Sequence, residues 1–371
     1  MMDPAKLGRV VEAMEKRNLA GLLIYSRGTT FVLRPSYLHY FSGVRPIGKN
    51  TAAVVSRNGK AVLLVEPAWD SCRLQSNTWI TDVRGTSRFL EDLPALLEEL
   101  KITGSLGVMG SEEMGVDLHG AVSKQARIEE AGDIVEDLAG EKTERELRVT
   151  RETGKIADVG FKAFLKNARA GIREYELLAE IECAMRSAGA DDIFILLSSG
   201  SRNQAMHAPS DRRLAPGDIV IGEITPAREG QFIQLCRTVV LGEPPPVLKE
   251  KYAILLEGLK QSMTEIRSGN PASLLSKAMN RVIGDAGYAK YCYPPFMRAR
   301  GHGFGVGSIA PGAVIDDNTP VDLKRHQVVI AHPNQYFPET GYLACGETVL
   351  VTDRGPERLS ETETKLYWNE I

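Results

Sequence analysis

The chain has 371 residues, more than one ordinary core needs, so two domains are expected. Its 45 Lys plus Arg against 48 Asp plus Glu leave a net charge of −3, with 43% apolar and 25% charged residues, which excludes a generally basic nucleic-acid binder and a polybasic membrane-surface protein. No apolar run approaches the roughly 18 residues that span a bilayer. The N-terminal stretch MMDPAKLGRVVEAMEKR lacks the apolar centre of a signal peptide, and the five scattered cysteines form no C-x-x-C pair, so a cytoplasmic, reducing setting without disulfides or structural zinc is expected.

Residues 5–18 carry helical spacing through Leu7, Val10, Val11 and Met14, and lead into the apolar strand run AGLLIY at 20–25. TAAVVS (51–56) and KAVLLV (60–65) read as a hairpin joined through Asn58-Gly59, whose residues tolerate positive φ. A helix over 87–101, a strand at Leu106–Met109 and a further helix complete an α/β domain with a mixed sheet. No G-x-G-x-x-G phosphate loop opens any of these helices. The charged segment GEKTERELRVTRETGK (140–155) predicts a long, solvent-exposed linker helix, continued by the stripe Ile156, Val159 and Ala163. Leu178, Ile181 and Met185 predict a second helix, with Gly189 where a C-terminal cap belongs. Strands follow at IFILLSS (193–199), DIVIGEIT (218–225), QFIQLCRTVV (231–240), HQVVIAH (326–332) and ACGETVLVT (344–352), with a helical stretch at 249–286 after the Pro244–Pro246 turn. The second half is therefore expected to be α+β around a curved, largely antiparallel sheet.

Four of the six histidines, His207, His302, His326 and His332, lie in this second half; His39 and His119 lie in the first. Histidine moves protons near neutral pH, so a cluster on sheet segments is a candidate site. His207 opens the loop HAPSDRRLAPGD that runs into the strand carrying Glu223. His302 stands in RARGHGFGVG, where flanking glycines let backbone and substrate approach the ring, and His332 ends an apolar strand before Pro333. Alternation places Ile219, Ile221 and Glu223 on one strand face, and a lone carboxylate there needs a partner or a task.

YLHYFSGV (37–44), KTERELRVTRETGKIADVG (142–160), HAPSDRRLAPGD (207–218), CRTVVLG (236–242), GHGFG (301–305) and ETVLVT (347–352), in this order, resemble the signatures of the creatinase / aminopeptidase P / methionine aminopeptidase superfamily. The first resembles a strand signature of the family's first domain, the second its linker-helix motif. The resemblance implies a creatinase-type α/β N-terminal domain over 1–140 and a pita-bread catalytic domain over 141–371, paired as a homodimer. Metal-dependent members hold two divalent ions through two Asp, one His and two Glu. The matching positions here carry Glu223, Gln234, His302, His332 and Gly346, with Glu347 beside the last; a further family histidine falls on Ile309. Two divalent cations bring four positive charges, and this set answers with one carboxylate, or two if Glu347 joins, so neither a resident metal nor another cofactor is expected.

The resulting expectation is a metal-independent, creatinase-like or ectoine-hydrolase-like hydrolase of a C–N bond in a small polar nitrogen compound. His207 would be the general acid/base and Glu223 the base or nucleophile. His302 and His332 would hold substrate or developing charge, and Arg298 and Arg300 would clamp a carboxylate or remain a solvated pair. Gln234 and Cys236 alternate toward pocket or core, and Glu347 binds a cationic group or stands at a sheet edge. The alternatives are a mononuclear-metal site on Glu223, His302 and His332, an Xaa-Pro-type peptidase, and a non-catalytic binding module on the same scaffold.

Overall fold

The structure, a computed structural model, describes residues 4–26 and 37–369. The chain divides into two compact units, Met1–Ala139 and Gly140–Ile371. Among the described residues no helix is long and apolar enough to cross a membrane.

The first unit is built on a six-stranded mixed sheet in the order Asp82–Gly85, Ala61–Glu66, Asn50–Ser56, Gly21–Ser26, Gly104–Met109 and Ala126–Glu130. Gly21–Ser26 is buried at every position. It pairs antiparallel with Asn50–Ser56 and parallel with Gly104–Met109. The 51–65 hairpin closes as expected over Arg57–Gly59, but only Gly59 takes up positive φ, at 82°. Leu23, Val54, Leu64, Leu93, Leu97 and Val108 share its core. One expectation fails here. Residues 37–42 form a helix, Tyr37–Ser42, rather than a strand. Gly43 N–H closes onto His39 O at 2.9 Å, and Gly43, at φ 78°, ends the turn in the left-handed region that a glycine enters freely. A run buried at almost every position carries no period of its own, and its length of one and a half turns does not arbitrate.

The second unit opens with the helix Glu144–Asn167, capped by a reciprocal Thr143/Glu146 box. Its charged composition suggests exposure, yet Leu147, Ile156, Ala157, Phe161 and Phe164 are buried, while Val159 of the expected stripe faces out. Gly160 makes the packing possible: a Cβ there would sit 2.5 Å from Met185 Sδ and 3.0 Å from Ile224 Cγ2. The next helix, Glu174–Ser187, buries Leu177, Ile181 and Met185, and Gly189 follows its cap at φ 96°.

Among the described residues the larger sheet of this unit has nine strands, with the main order Gly301–Phe304, Val328–Ala331, Gly346–Thr352, Leu235–Leu241, Ile219–Arg228 and Asp192–Gly200, every pair along it antiparallel. The predicted strand 231–240 is split into Gln231–Phe232 and Leu235–Leu241. The residue facing the break is Pro226, which accepts from Ile233 N–H at 3.1 Å but has no N–H to return. The helical stretch 249–286 is likewise divided, into Pro246–Glu265 and Ser273–Ile283, with Gly269 at φ 88° and Pro271 between them. Pro246 occupies the first helical position, where its missing N–H is no loss.

Candidate active site

Strand alternation decides which side chains meet. Gly222 faces the helix Glu144–Asn167, where a Cβ would lie 3.2 Å from the Phe164 ring. Glu223 therefore points to the opposite face of the sheet. Its antiparallel partner is Cys236, whose own partner on the next strand is Gly346. A Cβ on Gly346 would sit 2.7 Å from His332 Cβ and 3.2 Å from Cys236 Cβ. Glu223, Cys236, Gly346 and His332 thus form one row across the sheet. The neighbouring strand adds His302, its ring centroid 5.5 Å from that of His332.

Glu223 is 3% exposed. Arg298 Nη1 lies 3.2 Å from both of its carboxylate oxygens, and Asn334 Nδ2 lies 3.5 Å from Oε1. Burial raises the Glu223 pKa, and the Arg298 guanidinium only partly opposes it. The Arg298 side chain remains 44% exposed, so this ion pair joins a buried carboxylate to a solvent-facing cation. Burial pushes His302 down to about 4, against the pull of the Gly303 carbonyl 3.2 Å from Nδ1. It holds His332 well below the ordinary imidazole range, reinforced by His302 and Arg298. Both rings are neutral at pH 7. The Cys236 thiol is driven up by burial and then by Glu223, which keeps it protonated and poorly nucleophilic. Gln234 is buried on the same face and donates through Nε2 to Thr225 Oγ1 at 3.1 Å.

Three residues expected at the site stand elsewhere or are otherwise engaged. Glu347, one residue beyond Gly346, points to the opposite face of the sheet. There it accepts from Arg237, Arg358 and Thr364 at 2.8 Å each and from Ser360 Oγ. It is 1% exposed and knits the sheet to the 358–364 segment, so it offers no surface to a substrate. Arg300 is fully buried, with Nε on Asn280 Oδ1, Nη1 on Asn334 O and Nη2 on Gln335 Oε1, each at 2.8 Å. It buttresses the site wall and is not the second arm of a clamp. His207 is exposed, its backbone carbonyl accepting from Leu197 N–H and its Nδ1 2.8 Å from Ala208 O. Among the described residues no hydrogen bond joins its ring to Glu223, His302 or His332.

Two site residues escaped the sequence reading. Asn334 bridges Glu223 and His332, and only its place two residues beyond His332 hinted at it. Tyr342 is 3% exposed, and among the described residues its hydroxyl has no hydrogen-bond partner. Burial raises its pKa, with Glu223 the next cause, which sets the phenol within electrostatic reach of the carboxylate. Its signal in the sequence was one aromatic among many.

A family model described as Metallopeptidase family M24 matches residues 148–353, more than half of the chain. The chain belongs to metallopeptidase family M24. A second model, Creatinase/Prolidase N-terminal domain, matches residues 6–149, so this M24 protein has a creatinase-type N-terminal domain followed by a pita-bread catalytic domain. It is 27% identical to an Xaa-Pro dipeptidase of Pyrococcus furiosus over 91% of this chain and 94% of that one. It is 25% identical to an Xaa-Pro dipeptidase of Pyrococcus horikoshii over 97% and 98%. Among solved structures, a prolidase from Pyrococcus furiosus superposes with a TM-score of 0.82 at 25% identity, covering 95% of this chain and 99% of that one. An X-Pro aminopeptidase from Thermotoga maritima gives 0.85 at 22% identity over 98% and 99%, a likeness of fold. The names of the two Pyrococcus relatives match the alternative of an Xaa-Pro-type peptidase better than the expected creatinase-like hydrolase.

Proposed function

We propose that this M24 protein hydrolyses the C–N bond of a short, carboxylate-bearing substrate, with Xaa-Pro dipeptides the first class to test. The observation that carries the reading is Glu223: a desolvated carboxylate with a half-exposed arginine on one side and neutral imidazoles on the other. A carboxylate with a raised pKa is a better base, suited to take a proton from an attacking water. Arg298, free to turn outward, presents two-pronged donors to an arriving carboxylate. Neutral His332 and the Tyr342 hydroxyl, which has no hydrogen-bond partner among the described residues, supply donors for charge growing on the scissile carbonyl oxygen. The proton that Glu223 takes from water passes on to the leaving nitrogen, since among the described residues no hydrogen bond brings the exposed His207 ring to these groups.

The donor set at the family's ligand positions does not fit two divalent ions. Glu223 is its one carboxylate, and both oxygens already face Arg298; an amide, two imidazoles and a glycine add no negative charge. A single ion on Glu223, His302 and His332 would have to displace Arg298, and among the described residues no three His, Cys, Asp or Glu side chains are arranged to hold a metal. The chemistry is therefore assigned to the side chains themselves.

The test is turnover of Xaa-Pro dipeptides, their C-terminal amides, guanidino acids and cyclic amidines, before and after chelation, with elemental analysis of the purified protein. Cleavage of free-acid Xaa-Pro dipeptides, poor cleavage of the amides and indifference to chelator are expected. Close to two metal ions per chain, with activity lost on their removal, would overturn the metal-free mechanism. Cleavage of guanidino acids alone would overturn the substrate class.

A further inference from the structure

We infer that Asn334 is a positioning residue that fixes the tautomer of His332, so that this ring presents Nε2–H to the substrate. Asn334 is fully buried, and its backbone is held at both ends. Its N–H donates to His332 O at 2.8 Å, and its carbonyl accepts from Arg300 Nη1 at 2.8 Å. Its side-chain amide Nδ2 lies 3.1 Å from His332 Nδ1 and 3.5 Å from Glu223 Oε1, while Oδ1 faces Cys236 Sγ at 4.0 Å.

Only one orientation of the amide satisfies these neighbours. With Nδ2 toward Glu223 and His332, two N–H donors meet a carboxylate and a ring nitrogen, and Oδ1 meets a thiol. Reversed, the amide oxygen would face the carboxylate, two acceptors without a proton between them. His332 Nδ1, facing the Asn334 Nδ2 donor at 3.1 Å, is then an acceptor; its own carbonyl, the competing partner for an Nδ1 proton, already accepts from Asn334 N–H. The single proton of a neutral imidazole is left on Nε2. His302 is set the opposite way: its Nδ1 lies 3.2 Å from Gly303 O, which can only accept, and 3.4 Å from Ser308 Oγ, which can accept as well as donate, so the nearer partner draws the ring proton to Nδ1 and leaves the lone pair on Nε2. Two adjacent rings thus offer one donor and one acceptor, the complement needed to hold an oxyanion and pass on a proton. Gly346 is the space that lets this happen, since any side chain there would strike His332.

The catalytic half of this inference rests on the hydrolase reading; the tautomer does not. The test uses the full chain with ¹⁵N-labelled histidine. Long-range ¹H–¹⁵N correlation reports which ring nitrogen is protonated, with His332 assigned by its loss in His332→Gln. The expected result is His332 protonated at Nε2 in the unmodified chain. In Asn334→Asp, whose carboxylate can only accept, the proton moves to Nδ1, and kcat for an Xaa-Pro dipeptide falls about 100-fold with KM little changed. Asn334→Ser, which keeps a donor, recovers part of both. An unmodified His332 protonated at Nδ1 overturns the inference without any variant, so a variant that fails to fold does not protect it. An Asn334→Asp chain with wild-type tautomer and kcat overturns it too. Should no dipeptide be cleaved while the tautomer shifts as expected, the hydrolase reading falls and the assignment of Asn334 stands.

Discussion

Glu223 can serve as the proposed base only while ionised, and burial raises the pH at which ionisation occurs. The proposed activity should therefore fall as pH drops through a value above the ordinary carboxylate range. Removing the opposing cation in Arg298→Met should move that acid limb to higher pH, which a kcat/KM profile reads directly. Glu223→Gln should lower kcat by roughly 10²- to 10⁴-fold with an unchanged far-UV spectrum. Tyr342→Phe separates function from stability. Among the described residues the hydroxyl has no partner to lose, so the urea midpoint should hold or rise while kcat drops about tenfold. His302 makes the fold acid-sensitive. Its pKa falls from 6.5 to about 4 on folding, so across that window the unfolded chain binds a proton that the folded ring refuses. Its contribution is complete above pH 6.5 and is lost as pH falls toward 4, by on the order of 3 kcal/mol. Urea titrations from pH 7 to 4.5 should show a shallower decline in His302→Gln. At this scale the sequence made Glu223, His302 and His332 visible, because a polar residue on an apolar strand announces itself. Arg300 and Glu347 were misjudged because strand parity and the hydrogen bonds waiting on each face decide a role, and the partners come from far along the chain.

The helix Glu144–Asn167 shows how an element's composition can mislead. Its charges cluster early, but a stripe of Ile156, Ala157, Gly160, Phe161 and Phe164 meets the sheet. Thr143→Ala removes its capping box and should cost about 1 kcal/mol. Gly222→Val drives a branched side chain toward Phe164, whose ring lies 3.2 Å from the Cβ position, and should cost about 1–3 kcal/mol in urea unfolding. Element types were largely legible from apolar periodicity. What was not legible was interruption: Pro226 breaks a ladder from the opposite strand, a pairing that no reading of residues 231–240 alone reveals.

For the molecule as a whole, two compact units with separate cores should not share one unfolding transition. Trp69 and Trp79 lie in the first unit and Trp368 in the second, so fluorescence is weighted toward the first while far-UV dichroism reports both. The two urea curves should not superimpose, and a chain beginning at Gly140 should give a single cooperative transition of its own. The family fold was readable because several motifs fall in a fixed order. The reaction was less so, because the side chains at the decisive positions depart from that pattern.

The adjacent pair Gly346 and Glu347 has a practical consequence for anyone screening random variants. A side chain at 346 intrudes on His332 and should give a well-expressed but inert protein. Loss of the carboxylate at 347 strands Arg237, which is fully buried, and should deplete the protein from the cell instead. Scored only by lost colony phenotype, neighbouring codons would look alike. Immunoblots, and growth at reduced temperature, would sort the poisoned catalyst from the collapsing scaffold.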